Sequence, residues 1–167
     1  MKNNNAIIFT GSRDWLDKEK VEKVLKAWSE TSSELIVIHG DARGLDTLAE
    51  TSAKELGITT IPMPAQWKKY GKKAGTARNK DMLELLLCLK RCGYNVFVEA
   101  FSLEHSIGTK HMMAIAEKSK VPIREHKAET TKKIQRNMST PESREFWEHA
   151  EKTAKEVEDW PEWKKAK

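Results

Sequence analysis

The sequence predicts an α/β fold: a Rossmann-like three-layer sandwich with a mostly parallel sheet of about five strands and an extra C-terminal helix. Short apolar runs of strand length alternate with longer amphipathic segments of helical period, an order typical of a parallel sheet with helices on both faces. The run from Leu35 to Ile38 is apolar at every position, as expected for a strand buried on both faces. Right-handed crossovers between such strands give the Rossmann-like arrangement.

The first half of the chain is predicted to contain three strands and two helices. The helical period is clearest in an apolar stripe with spacing i, i+3, i+4 and i+7, formed by Val21, Val24, Leu25 and Trp28. Gly57 ends the second helix, and Pro62 closes the third strand. The predicted elements are strands over 6–10, 35–38 and 58–61 and helices over about 18–31 and 45–56.

The second half opens with a loop over 63–75, which is long for a connection between a strand and a helix. Loops of this length in small domains are often functional. The elements predicted to follow are a helix over about 76–92, a strand centred on 96–98 that runs to about 101, a helix over about 109–119 and a short strand over 121–123. Residues 1–127 are thus predicted to form one Rossmann-like domain.

Residues 128–167 are predicted to form a C-terminal helical extension. A helix over 139–158 has Pro141 in its first turn, and Trp160 and Trp163 follow it. We interpret this helix as packing on the domain or on a second subunit, so a homodimer is one expectation. A structural or assembly role of the extension is accordingly one hypothesis for function.

Composition restricts the class of protein. The chain has 167 residues, of which 33% are charged and 38% hydrophobic, and its net charge is +5. These values fit a small domain with a heavily solvated surface, and the positive charge permits a polyanionic partner. Because no apolar run is long enough for a membrane span or a signal peptide, we expect a cytoplasmic protein without a membrane partner. The cysteines and histidines lack zinc spacing, so we expect no metal and no cofactor.

Four loops with similar content follow the first four predicted strands. They contain glycines, hydroxyl groups, arginines and carboxylates, and they cover 11–14, 39–46, 67–78 and 102–109. In an open parallel sheet, ligands bind outside the carboxyl ends of the strands, where these loops meet. Glycine lets the backbone approach a phosphate closely, and arginine supplies a bidentate cation. The loops therefore predict a site for a phosphorylated small molecule that carries hydroxyl groups.

Each candidate ligand-binding residue comes from one of these loops. The candidates are Gly11, Ser12, Arg13, Gly40, Asp41, Arg43, Gly44, Asp46, Trp67, Arg78, Asn79, Gly108 and Thr109. Purely structural interpretations exist for several of them: the glycines as turn residues, Asp46 as a helix N-cap, Arg78 as a surface residue and Trp67 as a cover of the core's edge. All of these interpretations would have to hold together for the site to be absent.

The candidates divide by chemical role. We expect phosphate on the backbone at 11–12 and 108–109, with Arg13 and Arg78 as cations. The base or ribose is expected against Trp67. Asp41 and Asp46 are placed to accept hydrogen bonds from ribose hydroxyls.

Several stretches resemble the YspA-like branch of the SLOG superfamily. They cover 9–15, 38–46, 64–67, 77–79 with Met82, and 108–110, and the resemblance as a whole covers about residues 6–126. It implies a Rossmann-like fold and the binding of nucleotides or nucleotide-derived ligands. Its LOG-type relatives are phosphoribohydrolases that cleave the base from a nucleoside monophosphate, and other relatives sense nucleotide signals.

The resemblance also shows two departures from the LOG-type pattern. Arg78 and Met82 match the spacing of the LOG-type helix, and 108–109 match the end of its phosphate loop, but Glu104 to Ser106 replace the proline and paired glycines of that loop. The position of the LOG-type catalytic glutamate is occupied here by Met112. Because a methionine cannot stabilise an oxocarbenium-like centre, hydrolysis by the usual residues is disfavoured.

Other carboxylates are candidates for the catalytic role, namely Asp46, Glu99 and Glu104. Cleavage of an N-glycosidic bond needs a carboxylate near the anomeric carbon and help for the leaving group. Glu99 stands out because it interrupts an apolar strand, where a charge is costly unless paired. It either lies near the strand end, facing solvent or Arg78, or faces the ligand with a shifted pKa.

Two functional classes follow from these observations. The first is a protein that binds a nucleotide or nucleotide-derived small molecule, either as a sensor or sequestering protein or as an N-glycosidic hydrolase of nucleotides. The alternative is a nucleic-acid-binding protein that uses Trp67, Tyr70 and the lysines around them, which are Lys68, Lys69, Lys72 and Lys73.

Overall fold

The structure, a computed structural model, describes residues 2–103 and 106–128. The predicted helical extension, with Trp160 and Trp163, lies outside the described residues, and so does the catalytic candidate Glu104. The predictions for these residues therefore stay predictions.

A parallel sheet forms the centre of the fold. Its strands are β1 (Asn3–Gly11), β2 (Ser32–His39), β3 (Thr59–Pro62), β4 (Asn95–Ser102) and β5 (Ile123–Lys127). They lie in the order β3-β2-β1-β4-β5, and every neighbouring pair is parallel. The strand order reverses between β1 and β4, which is the point where open sheets of this kind bind ligands.

Helices cover both faces of the sheet, so the predicted Rossmann-like α/β fold is confirmed. They are α1 (Lys18–Thr31), α2 (Leu45–Glu55), α3 (Trp67–Tyr70), α4 (Ala74–Arg91) and α5 (Ile107–Lys118). Of the described helices, none is long and apolar enough to cross a membrane.

The side chains of β1 alternate between two apolar cores. Ile7 and Phe9 join the cluster that α1 and α2 cover, whereas Ala6 and Ile8 join the cluster that α4 and α5 cover. All of these residues are fully buried, which accounts for the continuous apolar run that marks a strand in the middle of a parallel sheet.

Several observed elements begin two or three residues earlier than predicted, as β1 and β2 do, and two further differences have a physical reason. The segment predicted as a loop over 63–75 contains α3 and a 3-10 turn, Gly71–Lys73. These short helical turns bury no side chain, so the sequence shows no apolar pattern that would predict them. The fifth strand begins two residues later than predicted, at Ile123, and runs to Lys127. As an edge strand with charged, mostly exposed residues, it lacks the apolar pattern that identifies a buried strand.

Glu99 lies in the middle of the sheet with no solvent exposure. Its Oε1 accepts a hydrogen bond from Trp28 Nε1 at 2.8 Å, and its Oε2 lies 2.5 Å from His126 Nε2. Arg124 Nη1 lies 3.7 Å from Oε1. Because a buried carboxylate is costly unless paired, these contacts fasten both α1 and the edge strand β5 to the sheet.

We expect Glu99→Gln to lower the free energy of unfolding by about 1–3 kcal/mol, since the hydrogen bonds with Trp28 and His126 and the ion pair with Arg124 would lose a charged acceptor. Urea denaturation of both proteins measures the difference. Glu117→Gln, at an exposed position of α5, is the matched control and should change stability by less than about 0.5 kcal/mol. Equal stability of the two variants would contradict the assigned role of Glu99.

Candidate functional site

A cleft of about 350 Å³ opens at the carboxyl edge of the sheet, beside the reversal in strand order. We call it the main cleft. The loops after β1 and β2 and the first turns of α4 and α5 enclose it. Of the predicted ligand-binding residues, it is lined by Gly11, Arg13, Gly40, Asp46, Trp67, Arg78, Asn79 and Gly108.

A second cleft of about 570 Å³ adjoins the main cleft, and we call it the side cleft. Both clefts share the walls formed by Arg13, Gly40, Ala42, Trp67 and Arg78. The side cleft adds the predicted residues Asp41 and Arg43, together with Pro64 and Ala65. The structure thus brings most of the predicted residues together.

At two positions, neighbouring atoms leave no room for a side chain, which explains why glycine is found there. A Cβ at Gly11 would lie 2.3 Å from Leu45 Cδ2, and a Cβ at Gly44 would lie 2.2 Å from the carbonyl oxygen of Arg13. Gly44 also has a φ of +75°, which favours glycine. These glycines therefore let the loops after β1 and β2 pack against each other.

Ser12 and Gly44 line neither cleft, and the N–H of Ser12, which the sequence suggested as a phosphate donor, is bonded within the protein. Its N–H already donates to the carbonyl oxygen of Phe101 at 3.1 Å, which extends the pairing of β1 with β4. Its own carbonyl oxygen accepts from Leu45 N at 3.2 Å. The main chain of Ser12 therefore stabilises the loop and is engaged within the protein.

Arg78 forms one wall of the main cleft. Its Nη1 donates to the carbonyl oxygen of Gly40, and its Nε donates to Asn79 Oδ1 at 3.1 Å. A Cβ at Gly40 would lie 1.5 Å from Nη1, so glycine is required for the guanidinium to rest on this backbone. Burial lowers the pKa of Arg78, and the nearby carboxylate of Asp46 opposes that shift. Arg78 is thus a largely buried cation whose guanidinium is held by hydrogen bonds, and not a surface residue.

Asp46 is buried beside Arg78, with its Oδ2 3.8 Å from Arg78 Nη1. Oδ2 also accepts from the N–H of Ala42 at 3.2 Å. Burial raises the pKa of Asp46, whereas the hydrogen bond from Ala42 and the charge of Arg78 act in the opposite direction. Asp46 is not the N-cap of α2, since that position is Gly44.

The start of α5 is held by Asn79. This buried amide donates from Nδ2 to the carbonyl oxygen of Gly108 at 3.0 Å, and it also lies 3.3 Å from His111 Nδ1. Its main contribution is therefore to position α5 against α4. Thr109 is buried and lines neither cleft, and its Oγ1 has no hydrogen-bond partner among the described residues.

The mouth of the main cleft contains exposed side chains. The Trp67 side chain is 51% exposed, and the exposed Arg13 guanidinium lies 5.7 Å from the centre of its ring. Lys72, from the 3-10 turn, also lines the main cleft. The sequence analysis named Lys72 only as one of several basic residues near Trp67. Its place in the cleft depends on the 3-10 turn, which no periodic pattern in the sequence predicts.

Of the catalytic candidates that the structure describes, Asp46 and Glu99 are not brought together. Asp46 lines the main cleft, but Glu99 lies on the α1 face of the sheet, so the expectation that it lies at the mouth or faces Arg78 is wrong. Every second residue of a strand faces the same side of the sheet, so Glu99 shares its face with Phe97 and Phe101. Met112, on α5, is fully buried in the core that α4 and α5 cover, and it lines neither cleft.

His39, a buried residue at the end of β2, makes a hydrogen bond with the loop that follows this strand. It is fully buried, and its Nδ1 accepts from the N–H of Asp41 at 3.3 Å. Its Nε2 therefore carries the hydrogen and donates to Glu50 Oε2 at 2.7 Å. Asp41, with a φ of +51°, keeps its unusual backbone conformation through this contact. Among residues 2–103 and 106–128, no group of His, Cys, Asp and Glu could hold a metal ion.

Comparison with known proteins gives one family and one relative of high coverage. The model of the YspA, cpYpsA-related SLOG family (YAcAr) matches residues 5–70. The chain is 35% identical over 129 residues to the Gene 61 protein of Mycobacterium phage D29, covering 70% of this chain and 92% of that protein.

Two solved structures are similar at low sequence identity. DNA processing protein A (DprA) from Streptococcus pneumoniae has a TM-score of 0.43 at 18% identity, with 72% of this chain and 58% of that chain covered. The C-terminal domain of a hydrogenase from Pyrococcus furiosus has a TM-score of 0.42 at 17% identity, with 75% and 94% covered. This chain thus spans little more than half of the DprA chain.

The contacts of Glu50 with Lys54 and His39 predict a response of stability to acid. The hydrogen bond from Lys54 at 2.6 Å is the main cause that lowers the pKa of Glu50 from 4.5 to about 2, and His39 contributes to it. Stability from this group is therefore complete above about pH 4.5 and is lost as the pH falls toward 2.

We expect Glu50→Gln to reduce the loss of unfolding free energy between those pH values by about 1–2 kcal/mol, a range that allows for solvent screening of a partly exposed group. Chemical denaturation at a series of pH values measures it. Glu30→Gln, an exposed carboxylate of α1, is the control, and the assignment fails if both variants keep the wild-type slope.

Proposed function

This chain belongs to the YspA, cpYpsA-related SLOG family, and from that premise we propose that it binds a nucleotide or a nucleotide-derived small molecule in the main cleft. One observation carries the proposal. Three cationic side chains, those of Arg13, Lys72 and Arg78, converge there with the buried carboxylate of Asp46 and the half-exposed ring of Trp67. Membership in a family associated with nucleotide binding supports the same conclusion.

The groups of the main cleft suit the parts of a nucleotide. Arg13 and Lys72 are exposed cations that can move onto a phosphate, whereas Arg78 supplies a fixed charge behind them. Trp67 offers an aromatic face for a base, in the place that Arg13 now partly covers. Asp46 is an acceptor for ribose hydroxyls. A cleft of about 350 Å³ falls within the range of small-molecule sites.

The proposal is binding without cleavage, as expected of a sensor or sequestering protein. Asp46 is the only carboxylate among the described residues that line the main cleft, and its Oδ2 is already engaged by Ala42 and Arg78. Hydrolysis of an N-glycosidic bond needs a carboxylate at the anomeric carbon and an acid for the leaving group. The buried Met112 supplies neither.

A thermal-shift panel of nucleoside phosphates, cyclic dinucleotides and ADP-ribose tests the binding site. We expect at least one compound to raise the melting temperature by several degrees, since a ligand at a hundredfold excess over Kd adds about 2.7 kcal/mol of stability. Arg13→Gln and Lys72→Gln should each weaken binding about tenfold, because each removes a charge-assisted contact.

The matched control for these variants is Lys118→Gln, an exposed lysine at the end of α5 that lines neither cleft. It should leave the affinity unchanged. Chromatography of the mixtures should find no free base. Free base that disappears with Asp46→Asn would make the protein a hydrolase, and a panel without any shift would refute the proposal.

A nucleic-acid-binding function is the second candidate, and one observation favours it. Lys68, Lys69 and Lys73 are all exposed on α3 and the 3-10 turn, close to the partly exposed rings of Trp67 and Tyr70. Lys69 Nζ lies 4.8 Å from the centre of the Tyr70 ring. Such a pairing of aromatic rings with lysines suits single-stranded nucleic acid.

Salt distinguishes the two candidates. If this segment binds nucleic acid, the affinity for a single strand of about 12 nucleotides should fall more than tenfold between about 50 and 200 mM salt, and Lys69→Gln with Lys73→Gln should weaken it. Fluorescence anisotropy measures both effects. A nucleotide held in the main cleft should respond less steeply to salt and should be indifferent to these substitutions.

A further inference from the structure

A groove of about 490 Å³ lies on the α1 face of the sheet, between α1 and the edge strand β5, and we call it the edge groove. Its volume falls within the range of small-molecule sites. Helix α1 lines it with Lys20, Lys23, Val24, Ala27, Trp28 and Thr31. None of these residues lines the main cleft or the side cleft, so the edge groove is separate from the proposed nucleotide site.

The residues of α1 give the edge groove a charged end and an apolar end. Lys20 and Lys23 lie in the first two turns of the helix, whereas Ala27 and Trp28 lie nearer its C-terminus. The stretch from Lys20 to Thr31 extends for about 16 Å, at 1.5 Å per residue. A molecule lying along this wall would therefore meet cations at one end and apolar surface at the other.

The cations at the charged end are not neutralised by their printed contacts. Lys20 Nζ donates to the carbonyl oxygen of Lys127 at 3.0 Å, an uncharged acceptor at the end of β5. This contact joins the two walls of the groove at the carboxyl edge of the sheet. Lys23 is exposed. Both ammonium groups are therefore available to an anion.

The strands add one carboxylate, and its charge is compensated within the protein. Glu99 has no solvent exposure, and its two oxygens are bonded to Trp28 and His126. Arg124, whose side chain is 63% exposed, lies 3.7 Å from Glu99, and its guanidinium carbon is 4.9 Å from the centre of the Trp28 ring. An entering molecule would therefore meet the positive charges and the indole rather than the carboxylate.

We propose that the edge groove binds a small anionic amphiphile, with its acid group at Lys20 and Lys23 and its aromatic or aliphatic body along Ala27 and Trp28. A small inorganic anion would leave the apolar wall unused, and an uncharged apolar molecule would leave the cations unused. The combination of a cationic end with an apolar wall therefore determines the class of ligand. This second site is independent of the nucleotide that we propose for the main cleft.

Fluorescence titration of the full chain with two dyes tests the inference. Anilinonaphthalene sulfonate and phenylnaphthylamine share an aromatic body, and only the first carries an acid group. Both become brighter when they leave water. We expect the sulfonate to bind at least about tenfold more tightly than the uncharged dye, because only the sulfonate can accept charge-assisted hydrogen bonds from the lysines.

Two substitutions connect this binding to the edge groove. Ala27→Glu places a bulky carboxylate at an exposed position of its apolar wall and should weaken the sulfonate more than about tenfold. Ala114→Glu, the same change at an exposed position of α5, is its control. Lys23→Gln should weaken the sulfonate about threefold or more, whereas Lys118→Gln should not.

The two Ala→Glu variants should melt within a few degrees of the wild-type protein, since both positions are exposed. Lys23→Gln tests the site even if Ala27→Glu does not fold. Equal affinity for the two dyes would overturn the inference, and so would sulfonate binding that neither Ala27→Glu nor Lys23→Gln weakens. A loss of affinity with Arg13→Gln would place the dye in the main cleft and overturn it as well. Failure of the nucleotide panel would leave these results unaffected.

Discussion

The hydrogen bond from the Arg78 guanidinium to the carbonyl oxygen of Gly40 is the contact on which the site depends. It joins α4 to the loop after β2, and Asn79 continues the connection to Gly108 at the start of α5. Gly40 permits it, because any side chain there would occupy the place of the guanidinium. One wall of the main cleft is thus fixed before any ligand arrives, which reduces the entropy that binding would cost.

The two buried carboxylates among the described residues, Asp46 and Glu99, contribute to the protein in different ways. Asp46 is paired with Arg78 at the edge of the sheet, next to a cleft, whereas Glu99 is enclosed by Trp28 and two residues of β5 within the layer under α1. Both satisfy the requirement that a buried charge be compensated. Only the first also lies where a ligand can reach it, so burial and unusual sequence context alone do not identify a functional acid.

The sequence predicted the architecture well because the signals for it are periodic. The apolar strands and the stripe that includes Val21 and Trp28 determine which faces are buried, and the loops of a parallel sheet then meet at one edge. The side of the sheet that Glu99 occupies could not be predicted, since its partners Arg124 and His126 lie on an edge strand without an apolar pattern. Lys72 was likewise assigned only to a basic segment, because α3 and the turn after it follow from local backbone geometry.

Fixed and movable cations have separate roles in the site. Arg78 is surrounded by protein acceptors, so it contributes a constant positive potential, which is stronger because burial limits screening by water. Arg13 and Arg43 are exposed, and their present contacts with Trp67 and Asp14 are weak. A ligand can displace these contacts and gain charge-assisted hydrogen bonds in return. Because Arg13 lines both clefts, a shift of its guanidinium away from Trp67 would change the charge and the space available in each of them.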